Sequence, residues 1–129
     1  MGMTELERGL TAVAGSDQAF FAGSRSESLV AAAEKALGLT FPPTYRRFVT
    51  ELGAGSAGSR EFYGVTTDDF MRASVPNGIW LTLEERQTFA LPANLVIVGD
   101  TGMGEYYALD LSQRDAYGES PVVLWTSGQ

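Results

Sequence analysis

The stretch LVIVGDTGMGEYYALDL, residues 95–111, constrains this chain more than any other: an apolar run, a glycine-rich turn, then a second run of alternating character. Val96, Ile97 and Val98 are consecutive and β-branched, which suits a strand buried on both faces. In the second run Tyr107, Leu109 and Leu111 alternate with Ala108 and Asp110, the period of two that a strand requires. Between the runs, Gly99, Gly102 and Gly104 supply positions where φ is free to be positive, and Asp100 is suited to bonding its own turn backbone. The spacing predicts a β-hairpin at the centre of a sheet, closed by a bulged or open loop rather than a two-residue turn.

A chain of 129 residues with 44% hydrophobic content fits a single domain, residues 1–129. A domain of this length buries about two thirds of the surface its unfolded chain exposes. The sequence has neither cysteine nor histidine. That excludes disulfides, thiolate zinc sites, cysteine nucleophiles and every triad built on histidine. Catalysis would fall to carboxylates, tyrosine, serine or Lys35, and neither a catalytic residue nor a metal or cofactor is expected. Nine basic against 16 acidic residues give a net charge of −7, which repels a phosphate backbone, so no direct nucleic-acid ligand is expected. No apolar run approaches the roughly 20 residues of a membrane span, and no basic segment with an apolar core opens the chain. The expected location is cytoplasmic.

Along the chain, Leu6, Leu10 and Val13 stand at helical spacing within residues 1–15, with Thr4 as N-cap and Gly15 as stop. Phe20 and Phe21 read as aromatic anchors pinning a connecting segment to the core. Ser24 and Glu27 make a capping-box pattern ahead of Leu29, Val30, Ala33 and Leu37, with Gly38 placed to end the helix. In FPPTYRRFVTEL, residues 41–52, the prolines suit a first helical turn. Tyr45, Phe48, Val49 and Leu52 then form one apolar stripe, and Arg46, Arg47 and Glu51 a solvated face. The run GAGSAGS, residues 53–59, reads as a flexible surface loop, in which Ser56 has no base to activate it. Residues 61–65 form a short strand, and Thr67 caps a turn or brief helix carrying Asp68, Asp69, Phe70 and Met71. Ile79, Trp80, Leu83 and Phe89 allow a further helix that exposes Glu84, Glu85 and Arg86, with Trp80 as a core residue and Pro92 as terminator. Residues 115–120 are turn-like and residues 121–125 form a final apolar strand.

The glycine turn itself offers little chemistry. GDTGMG lacks dinucleotide spacing and leads into a strand, so no helix N-terminus is there to hold a phosphate. Asp100 and Glu105 supply too few oxygens for a calcium loop. With Asp110 they form no cleft of the kind that glycoside hydrolysis needs.

Residues 34–52, EKALGLTFPPTYRRFVTEL, resemble the helix, leucine-glycine, hydrophobic-proline, helix signature of the SUKH superfamily. That superfamily includes the Smi and Knr regulators of fungal cell-wall synthesis and many bacterial proteins giving immunity against polymorphic toxins. Tyr63 and Gly64 resemble its aromatic-glycine strand, and GDTGMGEYYALDL its glycine-rich hairpin with a leucine-aspartate step. The likeness runs in the family's order over residues 26–125. Three features depart from it: residues 53–58 replace a compact asparagine-glycine turn, Glu105 replaces an aspartate, and no closing helix follows the last strand, as in a truncated or naturally short member.

Pattern and resemblance agree on an α+β fold, N-terminal helices on one face of a mostly antiparallel sheet of about four to six strands. The resemblance implies a non-enzymatic protein-binding module, an immunity protein that neutralises a cognate toxin, with a regulatory or scaffolding domain as the alternative. An acidic domain would meet a toxin with a basic surface, such as a nuclease, and no membrane. Partner-binding residues are expected on loops at the sheet edge: Asp68, Asp69, Asp100 and Glu105 as an acidic rim and Tyr106 as an anchor.

Overall fold

A computed structural model describes residues 19–57, 60–67 and 77–126. The hairpin forms where the pattern places it: β4 (Leu95–Asp100) pairs antiparallel with β5 (Glu105–Asp110), with a register shift between Ile97 and Gly99. Val96 and Ile97, both fully buried, turn to opposite faces and join separate apolar clusters. Around the hairpin, β1 (Ala19–Phe21), β2 (Gly55–Ala57), β3 (Arg60–Phe62) and β6 (Val122–Thr126) complete a six-stranded sheet in chain order, antiparallel throughout. The fold is α+β, as pattern and resemblance predicted.

Two helices cover one face of the sheet. α1 (Glu27–Leu37) turns Val30, Ala33 and Leu37 inward, and α2 (Pro43–Glu51) turns Tyr45, Phe48 and Val49 against Val96, Leu109 and Leu111 of the hairpin. The α1 cap is Ser26, whose hydroxyl accepts from Leu29 N at 3.2 Å, rather than Ser24. Glu27 therefore sits in the first turn and is free to meet Arg46 of α2 at 2.8 Å, while Glu34 takes Arg46 Nε at 3.3 Å and the Phe41 N–H at 2.8 Å. Arg46 thus ties the two helices together instead of standing on a solvated face. Arg47 does stay on the outer side, beside Glu51 one turn on.

α3 (Gly78–Phe89) occupies a different place. β3 meets β4 at a single position, Phe62 opposite Gly99, so among the described residues the first half of β4 has no strand neighbour on that side. α3 fills the gap, and the Thr82 hydroxyl accepts the Ile97 N–H at 3.0 Å where a strand carbonyl would otherwise stand. Lying along the edge, the helix gives Ile79 to the α1/α2 side and Leu81 to the second cluster, which also holds Tyr63, Leu91, Leu95 and Ala108. A helix that meets apolar neighbours on two sides buries residues that a one-sided pattern assigns to solvent. Glu85 is accordingly buried, not exposed, and accepts from Trp125 Nε1 at 3.0 Å, while Arg86 donates to Leu37 O and Ala93 O at 3.0 and 2.9 Å. Trp80 packs against the second cluster. Replacing Thr82 by valine keeps the shape and leaves the Ile97 N–H buried without an acceptor. Urea unfolding should show a loss of about 1–3 kcal/mol.

Three other expectations change. GAGSAGS is not a surface loop at residues 55–57, which form β2 between β1 and β3, and Ser56 is a strand residue. The segment at Phe20 and Phe21 is the edge strand β1, with the Phe21 ring 6.3 Å from that of Phe48. Strands of three residues are held by backbone pairing and carry too little side-chain alternation to be read. The strand expected over residues 61–65 stops at Phe62, and Gly64 forms a separate bridge to Asn77. The expected helix over residues 1–15 and the turn carrying Asp68 and Asp69 lie outside the described residues.

Candidate functional site

The hairpin tip is built by local hydrogen bonds. The Asp100 carboxylate accepts the Gly102 N–H, Thr101 Oγ1 accepts the Met103 N–H at 3.1 Å, and Thr101 N donates to Glu105 O at 3.1 Å. Gly102 and Gly104 adopt φ of 80° and 87°, a region costly for any residue with a Cβ. This wrapped turn pushes Met103 outward, 84% exposed. Behind it, the Tyr63 hydroxyl donates to Glu61 Oε2 at 3.2 Å and Asp100 Oδ2 at 3.3 Å. Burial, with the charges of Asp100 and Glu61, pushes the Tyr63 phenol up, so it remains a donor and fixes both carboxylates at this end of the sheet.

At the other end of the hairpin, the aspartate of the leucine-aspartate step has a structural task. Asp110 accepts from the Ser112 hydroxyl at 2.5 Å, Gln113 Nε2 at 2.8 Å, Asn94 Nδ2 at 2.7 Å and Ser112 N at 3.0 Å. These donors, Ser112 foremost, hold its carboxyl far below the usual carboxylate range and bind the exit of β5 to the approach of β4.

On the face carrying α1 and α2, α2 stops short of β6 and leaves a trough. Its inner part, about 210 Å³, is walled by Tyr45 and Phe48 with Phe62, Val98, Leu109 and Val122 along the floor. A middle part of about 270 Å³ adds Tyr107 and Asp100, and an outer part of about 510 Å³ runs past Tyr107, Val122 and Leu124 to Met103, Asp100 and Glu105. Val122 lines all three, so they lie next to one another, apolar at the inner end and with Asp100 and Glu105 in the lining of the outer. Val122 and Leu124 are 58% and 55% exposed, a large apolar surface left to water.

Of the residues singled out from sequence, the trough brings together Asp100 and Glu105. Tyr106 stands opposite Trp125 on the reverse face, packed against the second cluster, where burial and the carboxylates of Glu85 and Asp100 push its phenol up. Asp68 and Asp69 lie outside the described residues. Sequence reasoning missed Tyr107, Val122 and Leu124. The period of two held the signal: Tyr107 shares its face with Leu109 and Leu111, and β6 is apolar from Val122 to Trp125 with no charge to mark an outer side. Among the described residues no three acidic side chains are grouped to hold a metal ion, and no helix is long and apolar enough to cross a membrane.

An antiparallel sheet with two helices on one face and an open trough beside them makes this an α+β domain. The chain belongs to the SMI1-KNR4 cell-wall family, SUKH_6, which matches residues 27–129. In fold it is similar to a crystal structure of a protein from Pseudomonas syringae pv. tomato, with a TM-score of 0.67, 16% identity, and coverage of 98% of this chain and 85% of that one. No curated protein matches it in sequence.

Proposed function

We propose that this domain is an immunity protein: it binds a toxin domain with a basic surface and neutralises it by covering that surface, with no chemistry of its own. The trough carries this reading. An apolar floor supplies affinity through desolvated contact, while Asp100 and Glu105 at its end, on a chain of net charge −7, favour a basic partner and speed encounter with it. In this reading Asp68 and Asp69 extend the acidic rim, Tyr107 on the trough face is the anchor, and the domain works in the cytoplasm. Membership of a family of interaction modules supports it.

The test is to search the neighbouring genes for a toxin domain and to co-express it with this chain. Restored growth and a complex that survives size-exclusion chromatography are expected, and unrelieved growth arrest overturns the reading. The double variant Asp100→Asn with Glu105→Gln keeps the turn acceptor and removes two charges. Its association in stopped flow should be slower by about threefold to tenfold at low salt, with a flatter salt dependence. The family's cell-wall description favours a second reading, a regulatory or scaffolding module, which predicts a stable complex with a cellular protein and no effect on toxicity.

A further inference from the structure

Among the described residues the sheet ends at β6, and no strand covers its outer edge. Asp110 N donates to Pro121 O at 3.0 Å, and the register then sets Leu109 opposite Val122, Ala108 opposite Val123 and Tyr107 opposite Leu124. Antiparallel pairs alternate between bonded and non-bonded positions, so Val123 and Trp125 turn their N–H and C=O groups toward β5, and Val122, Leu124 and Thr126 turn theirs outward. Among the described residues no strand pairs with that outward row. Folded proteins blunt such edges with charges, internal proline, bulges or very short strands. β1, the opposite edge, is three residues long, whereas β6 is five residues of VVLWT without a charge and with Val122 and Leu124 more than half exposed.

We propose that β6 is a docking edge that takes an extended segment of the partner as a seventh strand. The apolar side chains of that segment continue the Val122–Leu124 row, and a lysine or arginine one step further along the same face, opposite Thr126, reaches toward Glu105, the β5 partner of Thr126 and a residue of the outer trough. Backbone hydrogen bonds give such an interaction its affinity, and the flanking side chains its selectivity. Charge decides the occupant: a second copy of the chain brings the same net charge of −7 to the edge, whereas a basic strand is complementary to it. The inference rests on the interaction reading above and adds the mode of binding.

The test titrates the isotope-labelled full chain with a capped peptide of about eight residues, threonine at every other position and valine, valine and lysine in turn on the face between, and with its twin in which glutamate replaces the lysine. Amide shifts and slowed hydrogen exchange are expected at Val122, Leu124 and Thr126 with the lysine peptide alone, weakening with salt. Leu124→Pro removes an outward N–H and no ladder bond, and should weaken binding by about tenfold or more, whereas Leu124→Ala keeps the N–H and should cost less. Should the proline variant fail to fold by circular dichroism, Leu124→Lys serves instead, since it places a like charge on the edge and leaves the backbone intact. Equal binding of the glutamate twin, shifts confined to the α2 side of the trough, or a dimer of the free chain that Leu124→Lys dissolves would each overturn the proposal. Against the toxin the two readings separate. A complex insensitive to both Leu124 variants sinks the strand mode and spares the module, and peptide pairing at β6 without toxin binding does the reverse.

Discussion

Replacing Phe48 by alanine is expected to cost about 3–5 kcal/mol, close to the whole margin of a weakly stable domain. Phe48 is only 6% exposed and its ring lies 6.3 Å from that of Phe21 on β1, 6.0 Å from Tyr45 one turn back and 6.1 Å from Phe62 on β3. It is therefore the side chain that joins α2 to the first half of the sheet. Three partners fixed in separate elements cannot all move to fill the space, so the cavity term adds to the lost burial. Urea unfolding of the variant measures the loss, and a value under about 1 kcal/mol would show that these rings close over the gap. Because Phe48 also walls the inner trough, the same variant should weaken any partner seated there.

Gly64→Ala is expected to be as damaging for the opposite reason, with about 3 kcal/mol or more lost to overpacking. A Cβ at this position would lie 1.9 Å from Gly53 O, 3.0 Å from Val49 Cγ1 and 3.1 Å from Gly53 C. The first contact is with backbone, which has no rotamer to change. Gly53 O is already engaged, accepting the Val65 N–H at 2.9 Å, and Gly64 O accepts the Gly78 N–H at 2.7 Å. Making room for one methyl thus strains the link between the end of α2 and the start of α3. Thermal melting should register a drop of many degrees, and an unchanged midpoint would mean that this crossing has room the contacts deny.

The aromatic-glycine step at Tyr63 and Gly64, recognised by resemblance alone, now has a physical cause in that close approach. The leucine-aspartate step has one as well, since Asp110 gathers four donors at the base of the hairpin. The first cause is not visible along the chain, because Gly53 reaches Gly64 from another element; of the second only the Asn94 contact is hidden, since Ser112 and Gln113 directly follow the hairpin. Glu85 shows the limit from the other side. Its helix has charges where solvent would be expected, yet β3 ends early, α3 takes the vacant edge of β4, and Trp125 arrives from 40 residues away to hold the carboxylate.

Sequence by itself determined the hairpin, the inward stripes of α1 and α2, and the final strand. Each is a periodic or local property: β-branched runs and a two-residue period for strands, apolar spacing of three and four for helices, glycines at a turn. Tertiary structure alone decided that GAGSAGS contributes a strand, that Arg46 joins two helices, and that the face of Tyr107 meets a trough beside β6, whose outer edge no described strand covers. The reason is that periodicity fixes which side of an element is apolar but not which neighbour comes to cover it or how far that neighbour extends. The trough exists because α2 stops before β6, and the edge is open because no described strand follows it.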